Sequence, residues 1–216
     1  SDVYKRQDLY KGDTRESKDF RANIRNYNSG LAMASMTAQM DAPPGRGPRP
    51  YRIHGAVYHL VGPMRPQPGE QAQYAQIYIM DTEQAANELA GRAINRHCDQ
   101  GLFANLHLPL QNVNIYVQSL MMMAEVSKEE SDQAAADGRE ALSAQLVFRT
   151  DKRDDQRRFN APTSNEIAVV YVGDDESIPG ERVFYIHERD GGLRQIHYLQ
   201  KECEPLCYPC LLYTSD

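Results

Sequence analysis

The sequence contains no tryptophan, only four cysteines among its 216 residues, and no long uninterrupted apolar run. So few cysteines in a chain of this length do not indicate a disulfide framework, which is typical of small secreted domains. A membrane-spanning helix needs about 20 consecutive apolar residues, so no such helix is predicted in the printed residues. The hydrophobic fraction of 41% and the charged fraction of 25% are those of an ordinary globular protein.

Charge is unevenly distributed along the chain, whose formal net charge is −6. Residues 8–60 contain eight basic and five acidic residues, whereas residues 61–140 contain five and eleven, and residues 141–209 contain nine and twelve. The overall acidity argues against a protein that coats nucleic acid with its whole surface. The basic N-terminal quarter still allows a local contact with phosphates.

Both ends of the chain resemble translated DNA adapter. The first seven and the last seven residues can be encoded by one DNA sequence read on opposite strands. The strand AGATGTGTATAAGAGACAG fits the first end, and its inverse complement CTGTCTCTTATACACATCT fits the second. This DNA is similar to the mosaic end of transposase-based sequencing libraries. We therefore expect residues 1–7 and 210–216 to be artefacts, and residues 8–209 to be one segment of a longer protein.

Helical patterning dominates the first two thirds of this segment. Asp13 and Glu16 resemble a capping box in front of a helix that extends to Ala34, and Gly30 should weaken that helix by about 1 kcal/mol. Asp81 and Gln84 resemble a second capping pair. Two further helices are predicted at residues 82–94 and 110–136, and a Gly/Pro-rich loop is predicted at residues 41–50.

The β-prone runs lead to a predicted α+β fold class. Residues 51–61 and 74–80 are β-prone, and they predict a short β-hairpin in an otherwise mostly helical first half. Four further runs in the last third, separated by Gly/Asp turns, predict an antiparallel β-meander: residues 144–149, 167–172, 182–187 and 194–199.

Enzymatic motifs are missing. The sequence has no phosphate-binding loop of the Gly-x4-Gly-Lys-Ser/Thr type, no two histidines separated by a single residue, and no Gly-x-Ser-x-Gly or His-Glu-x-x-His. A zinc-like spacing of His197, Cys203, Cys207 and Cys210 loses its fourth ligand if residue 210 is an artefact. We therefore predict no catalytic residue, no metal site and no cofactor for this chain.

Five arginines are the candidate contacts to DNA. Arg46, Arg49 and Arg52 lie in or beside the Gly/Pro loop, where glycine lets a phosphate approach the backbone closely. Arg157 and Arg158 end a second basic run, which aspartates dilute. The alternative for both groups is a set of solvated surface arginines without a ligand.

An ordered set of phrases resembles one family, the N-terminal region of Helitron transposon proteins, which are eukaryotic rolling-circle replication initiators and DNA helicases. The phrases cover nearly all of residues 8–209: FRANIRNYNSGLAMAS at 20–35, PPGRGP at 43–48, YRIHGAVYH at 51–59, YAQIYIMD at 74–81, NAPTSNEIA at 160–168, GGL at 191–193 and YP at 208–209. Each phrase alone is weak, and their common order carries the resemblance.

The resemblance implies a non-catalytic segment upstream of the family's nuclease and helicase domains. The family's nuclease uses a histidine pair and tyrosines, and its helicase uses a phosphate-binding loop, but neither the pair nor the loop occurs here. It implies those downstream domains as partners, single-stranded transposon DNA as a further ligand, and a nuclear location; no membrane partner is expected. The alternative function is a protein-interaction scaffold without DNA contact, derived from a decayed element.

Overall fold

The structure, a computed structural model, describes residues 2–41, 52–61, 64–66, 69–142, 144–148, 168–172, 184–187, 194–196 and 203–210. Its helices are α1 (Asp2–Lys11), α2 (Arg15–Ala22), α3 (Ile24–Leu31), α4 (Thr82–Ala90), α5 (Gln100–Val113), α6 (Ile115–Asp137) and α7 (Cys203–Cys207), with 3-10 helices at Tyr74–Ile79 and Ala93–Asn95. Its strands are β1 (Ser35–Asp41), β2 (Arg52–Val61), β3 (Ala144–Phe148), β4 (Ala168–Val172), β5 (Phe184–His187) and β6 (Arg194–Ile196).

The predicted α+β fold class is wrong, because the described part of the chain is mostly helical and neither predicted β motif forms. A meander requires its strands to pair in chain order. Instead β3 lies between β4 and β5 in one sheet, while β6 joins β2 and β1 in another. The predicted hairpin also fails, because residues 74–79 form a 3-10 helix. The buried core comes chiefly from helices α2 to α6 and this 3-10 helix.

The 3-10 helix replaces the predicted strand because its polar groups are held by neighbouring helices. The Tyr78 hydroxyl donates a hydrogen bond to the Leu31 carbonyl at 2.6 Å. His107 lies 3.1 Å from the Ile77 carbonyl, and the Gln111 side chain donates to the carbonyls of Tyr78 and Met80. These long-range bonds outweigh the local β propensity, which is a weak and context-dependent preference.

Side-chain caps set the helix boundaries. Thr14, rather than the predicted Asp13, caps α2 by accepting from the Ser17 amide, and Asp81 caps α4 as predicted. The helix that was predicted to end at Ala34 is instead divided at Asn23, whose side chain bonds the carboxylate of Asp19 and the carbonyl of His97.

Helix α6 ends at Asp137, one residue beyond its predicted end, and Gly138 follows as its C-cap. Gly138 has a positive φ of 67°, and the Arg139 amide bonds back to the Ala134 carbonyl at 3.0 Å. This is the backbone pattern of a Schellman C-cap. The predicted helix starting at Leu110 is divided at Asn114, whose side chain caps α6 by accepting from the amides of Tyr116 and Val117.

Gly30 lets α3 approach α5 closely. A Cβ atom at Gly30 would lie 2.9 Å from Cε1 of Phe103, whose ring is fully buried. We expect Gly30→Ala to lower the free energy of unfolding by roughly 1 kcal/mol, because overpacking of about 1–3 kcal/mol exceeds a helix-propensity gain of about 1 kcal/mol. Urea unfolding of the purified chain measures the change. The exposed Ser29→Ala in the same helix is the control, and an increase in stability for Gly30→Ala would contradict the predicted close approach.

Candidate functional site

The structure does not test the arginines predicted to contact DNA. Arg46, Arg49, Arg157 and Arg158 lie outside the described residues. Arg52 begins β2, where its backbone is the register partner of Asp41 in β1, and its side chain is outside the described part. The prediction that these five side chains contact phosphates therefore stays a prediction.

A cleft of about 570 Å³ opens beside α3. Its volume is within the range of roughly 300–1,000 Å³ that is usual for small-ligand sites. Its walls come from α3, the start of β1, the first residue of the 3-10 helix and the residues around the end of α7: Ile24, Arg25, Asn28, Ser29, Ala32, Ala34, Ser35, Tyr74, Cys207 and Tyr208. The cleft thus combines segments that are far apart in sequence.

Helix α7 is held in place by its C-terminal carbonyl groups. The Leu206 carbonyl accepts hydrogen bonds from the amides of Met33, at 2.7 Å, and Ala34, at 3.2 Å. The Asn28 side-chain amide donates to the Cys207 carbonyl at 3.0 Å. Because the last carbonyls of a helix lack partners within it, these three donors fix the position of the chain that carries Tyr208 into the cleft wall.

Asn28 contributes an acceptor that has no partner. Its residue surface is only 8% exposed, and its Nδ2 must face the Cys207 carbonyl because that group only accepts hydrogen bonds. Its Oδ1 is consequently turned away from Cys207, and it has no hydrogen-bond partner within the described part of the chain. A buried acceptor without a partner costs about 1–3 kcal/mol, and a donor on a bound molecule could recover part of this cost.

Tyr74 enters the cleft wall from an uncommon backbone conformation. Its φ is 51°, the one positive φ of a non-glycine residue among the described residues. Bulky side chains rarely adopt this left-handed conformation, and such outliers occur preferentially at functional sites. The preceding Gln73 and the side chain of Gln76 form a capping box around the start of the 3-10 helix, which holds Tyr74 in this conformation.

Arg25 supplies an exposed positive charge at the cleft. Among the described residues, its guanidinium has neither a hydrogen bond nor an ion pair. Two other arginines, Arg21 and Arg92, already donate hydrogen bonds to backbone carbonyls. Arg21 donates to three carbonyls at the end of α1 and the following turn, and Arg92 donates to the Ala72 carbonyl, with burial lowering its pKa.

A second cleft, of about 650 Å³, lies between α1, α2 and α5. Polar groups of its wall are hydrogen-bonded to one another, because the Thr14 hydroxyl donates to the Ser17 hydroxyl and the Ser17 hydroxyl donates to the Asp8 carbonyl. Asp8, Lys11 and Glu16 line this cleft as well. Among the described residues, none of its side chains has a buried polar atom without a partner, so the cleft beside α3 is the better candidate.

The other candidate metal ligands and titratable side chains of the described residues have structural roles. Within that part, no group of three or more His, Cys, Asp and Glu side chains could hold a metal ion. Cys207 and Cys210, from the zinc-like spacing, are buried and not in disulfides. Burial and its hydrogen bond to Asp19 raise the pKa of Tyr27 far above its usual value, so this phenol remains a neutral donor in the core.

The sequence pattern identified little of this cleft. Arg25, Asn28 and Ser29 are three and four residues apart, and this spacing places them on one face of a helix; it is the one signal that could have grouped them. The strand predicted over residues 74–80 would place Tyr74 and Tyr78 on the same face. In the 3-10 helix, with three residues per turn, they separate, and Tyr78 is buried while Tyr74 lines the cleft.

Comparison of the chain with protein-family models and with curated proteins gives no match. None of the helices in the described ranges is both long and apolar enough to cross a membrane.

Proposed function

We propose that this chain is a non-catalytic N-terminal segment of a Helitron-type rolling-circle transposase and DNA helicase. Its role is to support the downstream nuclease and helicase domains of the same polypeptide in the nucleus and to contact single-stranded transposon DNA. The ordered set of sequence phrases is the observation that carries this proposal. The longest phrase, residues 20–35, supplies the buried side chains of Phe20, Tyr27 and Leu31, so its residues are ones on which the helical core depends.

The proposed segment has no catalytic role because the chain lacks the phosphate-binding loop and the histidine pair of the family's reactions. Its DNA contact is assigned to the basic N-terminal quarter, with Arg46, Arg49 and Arg52 as the first candidates and Arg157 and Arg158 as the second. Contacts of guanidinium groups with phosphates position a strand without reading its sequence.

Replacing Arg46, Arg49 and Arg52 together with alanine should weaken binding to single-stranded DNA equally for different base sequences. The dependence of log affinity on log salt should flatten by roughly 0.7 for each phosphate that the protein no longer neutralises. Fluorescence anisotropy over a salt series measures both effects. Arg15→Ala, which removes an exposed arginine from α2, is the control and should leave the slope unchanged.

The scaffold alternative makes the opposite prediction for the same measurement. A protein-interaction scaffold has no specific use for phosphate contacts, so the full chain would show no salt-dependent DNA binding. The net charge of −6 favours this alternative. An unchanged slope in the triple variant, with binding retained, would instead exclude only these three arginines as contacts.

A further inference from the structure

We propose that the cleft beside α3 binds one base of a single-stranded DNA segment, with Arg25 contacting a flanking phosphate. This inference rests on the proposed DNA contact, and it adds to the candidate arginines a set of side chains that the sequence did not identify. The residues that carry it are Arg25, Asn28, Tyr74 and Tyr208, which share the walls of one cleft.

The two tyrosines supply aromatic surface for a base. Both are half-buried and line the cleft. Proteins that bind single strands stack bases on aromatic side chains in this way, and the interaction tolerates any base because every base has a π-face. An isolated tyrosine would be ordinary, but two tyrosines brought into one cleft from residues 74 and 208 form a surface suited to a planar ligand.

Asn28 supplies a hydrogen-bond acceptor for the base edge. Its Oδ1 is buried and has no partner among the described residues, and its amide orientation is fixed by the bond from Nδ2 to the Cys207 carbonyl. The exocyclic amines of adenine and cytosine are donors. A base with such an amine in the cleft would give this acceptor a partner, whereas a purely apolar ligand would leave the acceptor unsatisfied.

Arg25 supplies the positive charge that a strand leaving the cleft would meet. It lies one helical turn before Asn28 on α3, so the two residues share a face. Its guanidinium has no partner among the described residues, so binding a phosphate there breaks no existing ion pair. In a nucleotide, the sugar separates the aromatic base from the anionic phosphate. A nucleotide can therefore place its base in the cleft and its phosphate at the rim of the cleft.

The test compares an oligonucleotide of about 16 deoxyadenosines, near the upper end of single-strand site sizes, with one of equal length whose sugars lack bases. Anisotropy with the full chain should show about tenfold tighter binding of the base-containing strand, as expected for one stacked base. Tyr74→Gly should abolish that preference and leave binding to the base-free strand unchanged. Glycine fits the positive φ of residue 74, so this variant should remain folded. Tyr74→Phe, which keeps the ring, should retain the preference.

Two further variants separate the ring from the charge. Tyr74→Leu keeps apolar bulk without an aromatic face, so it should also lose the preference for the base-containing strand. It replaces Tyr74→Gly as the test if circular dichroism shows that Tyr74→Gly is unfolded. Arg25→Gln should weaken binding of both strands and flatten the salt dependence, whereas Arg15→Gln should do neither.

Failure of the cleft and failure of the proposed function give different results. Equal affinity of the unaltered chain for both strands, or a preference that survives in Tyr74→Gly and Tyr74→Leu, would overturn the cleft as a base site while phosphate contact stands. Absence of binding to either strand would overturn both the cleft and the DNA contact, and would favour the scaffold.

Discussion

Replacing Phe103 with alanine is expected to lower the free energy of unfolding by about 3–5 kcal/mol. The Phe103 side chain, on α5, is 0% exposed, and its ring lies 4.8 Å from that of Tyr27 on α3, centroid to centroid. Tyr27 in turn contacts Phe20 on α2, at 5.9 Å. Truncation at Phe103 therefore removes buried apolar surface and one aromatic pair, and leaves a cavity where three helices meet.

Urea unfolding of the purified chain measures this loss. Leu108→Ala is the matched control, because Leu108 lies on the same helix and is 50% exposed; it should change stability by no more than about 0.5 kcal/mol. Phe103→Leu should fall between the two variants, since it retains most of the apolar volume. A loss below about 1 kcal/mol in Phe103→Ala would show that α3 and α5 do not share one core.

Local signals in the sequence located some helix ends and missed others for a physical reason. Asp81 and Gly138 act within a few residues of themselves, as an N-cap and as a left-handed C-cap, so their effects could be predicted. Asn23 divides a helix, and besides its local bond to the Asp19 carboxylate its side chain bonds the His97 carbonyl, 74 residues away. Such a contact exists only after the chain has folded, and no window of local sequence contains it.

The same distinction applies to the fold class and the candidate site. Residues 74–80 have high β propensity, yet the carbonyls of Ile77, Tyr78 and Met80 are satisfied by side chains of α5 rather than by a neighbouring strand. The face shared by Arg25 and Asn28 could be read from helical spacing. Its meeting with Tyr208 depends on the docking of α7 through the Leu206 carbonyl, which composition and periodicity do not encode.

His107 is expected to be the polar side chain on which the 3-10 helix depends most. It is 0% exposed, its ring stacks on Tyr78 at 5.1 Å with an angle of 7° between the rings, and its Nε2 donates to the Ile77 carbonyl at 3.1 Å. Its Nδ1 lies 3.2 Å from the Thr82 hydroxyl. His107→Ala should cost about 3 kcal/mol of unfolding free energy, because it creates a cavity and leaves a buried carbonyl unpaired.

The pH dependence of stability should identify His107 specifically. Burial lowers its pKa from the usual 6.5, although the bond to Ile77 and the charge of Asp81 oppose this shift. Above pH 6.5 both folded and unfolded chains carry a neutral His107, and its full contribution is present. Below that pH the unfolded chain binds a proton that the folded chain does not, so stability should fall, by at most about 1.4 kcal/mol per pH unit, until the folded pKa is reached.

His107→Gln supplies the comparison, because an amide at this position can still donate to the Ile77 carbonyl but does not titrate. The difference in unfolding free energy between the unaltered chain and His107→Gln should be constant above pH 6.5 and should shrink as the pH falls below it. Groups that titrate alike in both proteins cancel in this difference. A difference that stays constant down to about pH 5 would mean that the folded and unfolded chains protonate His107 alike. The hydrogen bonds that hold the 3-10 helix in place would then have to be assigned to Gln111 and Tyr78 alone.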